Sequence, residues 1–93
     1  MIKKTYVKKI KDRVKRFEKD GCRFFIFGSC LTKARFGDVD LGFVGPMSGK
    51  DLARFKEELE ESDLPYSFDV VNFNEVSENF KSNVLNQKVL WLS

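Results

Sequence analysis

The sequence predicts a small α+β domain in which a short sheet of about three to four strands carries helices on one face. Three observations predict it. Helical and strand periodicities alternate along the chain, every segment is short, and ten Phe with one Trp among 93 residues supply enough large apolar side chains for a compact core. A chain of this length buries only somewhat more than about 60% of the surface its unfolded form exposes, so it fits one domain spanning residues 1–93. With 42% hydrophobic residues it carries too much apolar surface for a disordered chain.

From Ile2 to Lys19 the apolar residues Ile2, Tyr6, Ile10, Val14 and Phe17 recur at spacings of three or four, which places them on one face of a helix. Asp20-Gly21 is a natural stop, since glycine accepts the left-handed conformation that ends a helix. Arg23-Phe24-Phe25-Ile26-Phe27 then reads as a buried strand that ends in the turn Gly28-Ser29. Residues 30–37 are a loop or short helix, and Val39 to Val44 form a second strand with Val39, Leu41 and Phe43 on one face and Asp40 and Gly42 on the other. Gly45-Pro46 breaks that strand, and Ser48 is positioned to cap a helix carrying Leu52, Phe55 and Leu59 on one side. A third strand runs from Tyr66 to Phe73, with Ser67, Asp69, Val71 and Phe73 sharing a face. Asn74 or Ser77 would cap a last short helix containing Val76, Phe80 and Val84, and Val89 to Leu92 add a final strand or apolar tail.

Net charge is +3, with Lys and Arg crowded into the first nineteen positions and acids dominant from Asp51 to Asp63. Such a basic run reads first as the solvated face of a helix. A nucleic-acid partner is not expected, because the aromatic residues sit at core spacing and offer no interleaved stacking platform. Cys22 and Cys30, in a chain without His, provide neither a zinc-finger spacing nor a Cys-His catalytic pair, and read as buried thiols. No signal-peptide pattern and no apolar run near the roughly 20 residues of a membrane span are present, so a cytoplasmic protein without a membrane partner is expected.

The chemistry resides in Gly28-Ser29, Asp38-Val39-Asp40 and Asp69. Two acids at alternate positions of a strand share a face, and like charges so placed are tolerable mainly when a cation neutralises them or water screens them. Asp69, flanked by apolar residues, would be costly to bury alone. If the second and third strands are neighbours, the three carboxylates converge into a hard oxygen site suited to Mg²⁺ or Mn²⁺. Gly28 permits close backbone approach, the Ser29 hydroxyl and nearby amides suit phosphate oxygens, and Lys33 and Arg35 add positive charge.

These residues resemble the signature of the nucleotidyltransferase superfamily with the polymerase-β-like palm, and the short chain resembles its minimal nucleotidyltransferase (MNT) branch. The resemblance implies that Asp38 and Asp40 bind the metals that hold a triphosphate, that Asp69 completes the second metal site and assists deprotonation of an acceptor hydroxyl, and that Gly28 and Ser29 meet the phosphates. It implies transfer of a nucleoside monophosphate, AMP from ATP, to a protein or small-molecule hydroxyl. It also implies a helical HEPN-type partner, with this chain as antitoxin. The stretch between Ser29 and Asp38 is short for the family, and Ala34-Arg35-Phe36-Gly37 is a displaced echo of its Ala-Arg-Gly arrangement. The acceptor surface would come from a homodimer mate or another protein. The alternative is a catalytically silent module of the same fold that neutralises a partner by direct contact.

Overall fold

The computed structural model describes residues 1–18 and 21–92; the expected helix end at Lys19 and Asp20 lies outside the described residues. The elements follow the order α1 (Lys4–Val14), β1 (Arg23–Phe27), β2 (Asp38–Val44), α2 (Gly49–Glu60), β3 (Ser67–Asn72), α3 (Glu78–Leu85) and β4 (Leu90–Trp91). The first helix is shorter than its apolar periodicity predicts, and tightens into a 3₁₀ turn over Lys15–Phe17. Gly21, at φ 84°, takes the left-handed conformation expected of the stop.

The four strands form one sheet in the order β3-β2-β1-β4. β1 is antiparallel to both β2 and β4, whereas β2 and β3 are parallel. A parallel pair needs a crossover, and α2 supplies it. Ser48 caps that helix as expected, its Oγ accepting the Asp51 N–H at 3.1 Å.

One sheet face carries the main core. Ile10 and Val14 of α1 and Phe55 and Leu59 of α2 pack with Phe24, Ile26, Val39, Leu41 and Phe43 of the sheet. Phe55 sits at the centre, with its ring 5.0 Å from that of Phe24 and 5.1 Å from that of Phe17. Burying each such ring fully contributes about 1.5–3 kcal/mol relative to exposure. An ion pair between Arg16 and Glu58 joins the end of the first helical segment to α2.

The second face is partly covered by aromatic rings. Phe73 contacts Phe25 at 4.8 Å, Phe27 at 5.3 Å and Phe80 of α3 at 5.6 Å, and Trp91 lies 4.8 Å from Phe25. Thus α1 and α2 cover one face, as the sequence predicts, while α3 reaches the other through Phe80. The acids Asp38, Asp40 and Asp69 share this second face.

Candidate active site

Asp38 and Asp40 alternate with Val39 and Leu41 along β2, so burial of the two apolar residues turns both carboxylates to the second face. The parallel ladder pairs Asp40 with Asp69 and Asp38 with Ser67, and the antiparallel ladder on the other side pairs Asp40 with Phe27. Neighbouring strands lie about 4.8 Å apart, so register alone brings Asp38, Asp40 and Asp69 into one patch.

Two tertiary features hold that register. The Phe73 N–H donates to the Phe43 carbonyl at 2.9 Å, which continues the ladder past β3. Asn74 then clamps the strand ends, its Nδ2 donating to the Gly45 carbonyl at 2.8 Å and its Oδ1 accepting the Gly45 N–H at 3.0 Å. Of the two helix caps the sequence offers, Asn74 and Ser77, it is Ser77 that caps α3, its Oγ accepting the Phe80 N–H at 3.2 Å.

Gly28 closes the patch. Its φ of 88° and ψ of −162° belong to a region that only glycine adopts readily, and a Cβ placed there would overlap Asp40 Oδ2 and sit 3.3 Å from its Cγ. The backbone of the turn therefore lies directly against the central carboxylate. Ser29, exposed, opens a single 3₁₀ turn, Ser29–Leu31, anchored by buried Cys30 and Leu31. The Ser29 carbonyl accepts the N–H groups of Thr32 at 3.1 Å and Lys33 at 2.8 Å. Lys33 and Arg35 are exposed on the following loop. That loop is pinned where it enters β2, because Phe36 stacks on Tyr66 at 5.1 Å.

Burial is distributed differently from the expectation. Asp69 does not pay a burial cost, because β3 is the end strand of the sheet and leaves it exposed; Asp40, between β1 and β3, is the half-buried acid. Burial raises the Asp40 carboxyl above the ordinary carboxylate range, and the neighbouring charges of Asp69 and Asp38 raise it further. None of the three acids has an ion-pair partner among the described residues.

Three carboxylates crowded so that one resists ionising form a donor set that fits a hard divalent cation. The fit is one of donor chemistry and backbone register: among the described residues, no three such side chains close around a common point. Cys30 and Cys22 are free and buried, and burial raises both thiols. They are packed groups, as the sequence indicates.

Two contacts were not legible in advance. Gly28 against Asp40 had a partial signal, since a glycine at a strand end marks close approach, but the sequence does not name what approaches. The Asn74 clamp had none, because Asn after a strand is equally a cap or a turn residue.

A mixed four-stranded sheet with a parallel crossover, paired acids on one strand, a third acid on its neighbour and a glycine turn against them defines a nucleotidyltransferase-like α+β domain. The chain belongs to that family: the family described as polymerase beta, nucleotidyltransferase matches residues 8–93, a span that holds every residue of the patch. No curated protein matches the chain.

Proposed function

We propose that this chain is a metal-dependent nucleotidyltransferase of the minimal type, which transfers AMP from ATP to a hydroxyl of a protein or small molecule. The observation that carries the proposal is the register of Asp40 against Asp69, with Asp38 on the same face and Gly28 against the Asp40 carboxylate. Asp38 and Asp40 would hold Mg²⁺ or Mn²⁺ together with the triphosphate, and Asp69 would share the second ion. Two such ions, when bound, offset the charge on the attacking and leaving oxygens. Gly28 brings the backbone of the turn against the Asp40 carboxylate, Ser29 and the amides near it donate to phosphate oxygens, and Lys33 and Arg35 offset triphosphate charge. Asp69, the exposed acid at the sheet edge, faces the acceptor and takes its proton.

The protein is incubated with α-labelled ATP, Mg²⁺ and the product of the adjacent gene, in parallel with an Asp38→Ala, Asp40→Ala double variant. Label transfer by the wild type and none by the variant supports the proposal. Intact binding of the partner with no label from either would refute turnover.

That last outcome fits a second reading, a silent module of the same fold that neutralises its partner by contact, as in an antitoxin paired with a HEPN-type toxin. Apolar exposure supports it: Met1 is 63% exposed and Leu90 38%, on the same surface groove. A homodimer covering that groove is the form of this reading without a foreign partner.

A further inference from the structure

β3 ends the sheet, so among the described residues one side of its backbone lacks a neighbouring strand. Because the Phe73 N–H points to β2, the alternation of a strand turns the N–H and C=O of Asp69 and Val71 toward β2 as well, and those of Phe68 and Val70 outward. Edge strands are commonly blunted by charged side chains, above all Lys, by Pro, by a bulge or by brevity, and the one charge on this edge is Asp69. The six residues Ser67-Phe68-Asp69-Val70-Val71-Asn72 contain neither Lys nor Pro and pair with β2 without a bulge. Beside this edge lies a cavity of about 150 Å³ lined by Lys56, Leu59 and Glu60 of α2 and by Phe68, Asp69 and Val70. It has room for one medium side chain.

We infer that the free edge of β3 is the acceptor site: an extended, neutral or basic peptide adds there as a further antiparallel strand and sets a serine or threonine hydroxyl opposite Asp69. The transfer step rests on the function proposed above; the docking does not. With Phe68 and Val70 hydrogen-bonded to the peptide, Asp69 occupies a non-hydrogen-bonded position, where facing Cα atoms approach to about 4.5 Å. A hydroxyl one bond beyond Cβ then meets the Asp69 carboxylate, whereas a tyrosine oxygen, carried beyond a ring, overshoots it. The residues on either side of the serine point to the opposite face, where the cavity receives one of them. The residues two positions away return to the acid face, and its three carboxylates select against acids there. The same charge disfavours a second copy as the occupant, since pairing β3 with itself would bring two acid patches together at the sheet edge.

In the transfer, the serine oxygen forms a bond to the α-phosphorus as the bond from that phosphorus to the bridging oxygen breaks. The bridging oxygen leaves with its electron pair as part of pyrophosphate, and the hydroxyl proton passes to Asp69.

The probe is a seven-residue peptide with a central serine flanked by valines and then lysines. It is compared with a tyrosine-centred version and with one N-methylated on both valines. Amide hydrogen exchange of the wild-type protein is read without nucleotide, and label transfer from α-labelled ATP is read separately. Slowed exchange at Phe68 and Val70 with the serine peptide, weakened at least about tenfold in affinity by N-methylation, supports the docking; tenfold corresponds to about 1.4 kcal/mol. Label on the serine peptide at least about tenfold above the tyrosine peptide supports the acceptor assignment. Protection without label on any peptide preserves the docking and overturns transfer to it. Label on the serine and N-methylated peptides alike, with no protection, overturns the docking and leaves the transferase intact. Protection of the same amides that depends on protein concentration alone assigns the edge to a second copy and overturns the proposal.

Discussion

Asp40 and Asp69 face each other across two parallel strands, one half-buried and one exposed, with their carboxylates on the same face of the sheet. The burial of Asp40, with Asp69 and Asp38 beside it, makes the fold itself sensitive to pH. The folded Asp40 carboxyl keeps its proton above the ordinary value of 3.8, chiefly through burial and then through Asp69 and Asp38. Folding therefore takes up a proton between the unfolded and folded values, so stability is fully present below 3.8 and is lost as pH rises through the folded value. Asp40→Asn removes that loss. The variant is expected to withstand more urea than the wild type at neutral pH, and the advantage should vanish well below pH 3.8. An advantage of equal size at both pH values would show that it does not come from the charge.

Gly28→Ala forces a side chain into a φ of 88° and onto the Asp40 carboxylate. The strained backbone costs about 1–3 kcal/mol, read as a lower urea midpoint. Because the collision displaces Asp40, nucleotide binding should weaken as well. Unchanged stability would contradict the close approach of the turn.

Asn74→Ala deletes both hydrogen bonds to Gly45 at the far end of the β2–β3 pair. These exposed bonds should contribute about 1 kcal/mol together. The diagnostic effect is local: faster amide exchange at the ends of β2 and β3, with α1 unaffected.

Gly42→Ala tests the aromatic face. A Cβ there would meet Phe25 Cζ at 2.5 Å and Phe73 Cε1 at 2.6 Å. Overpacking of this kind costs about 1–3 kcal/mol, and a thermal midpoint equal to that of the wild type would mean that the rings move aside freely.

Much of this arrangement was legible in the sequence. Strong periodicity located the strands: Phe24, Phe25 and Ile26 mark β1, and the alternation of Val39, Leu41 and Phe43 fixes which way Asp38 and Asp40 point. The helix after Ser48 was equally clear, because cap, acidic first turn and apolar stripe agree. Strand order was not legible. Nothing local in Ser67–Asn72 says that β3 lies beside β2 and at the sheet edge, yet that placement leaves Asp69 exposed and moves the burial cost to Asp40. The Asn74 clamp and the contact between Gly28 and Asp40 are likewise tertiary, joining residues that only the folded sheet brings together.

The most direct test of the acid patch as one functional site is calorimetric titration with ATP and Mn²⁺ of the wild type beside Asp40→Asn and Asp69→Asn, each first shown to be folded. The wild type is expected to bind the metal-nucleotide pair, and each single substitution to weaken binding by at least about tenfold, or about 1.4 kcal/mol. Equal affinity in all three proteins would contradict the acid patch as one site.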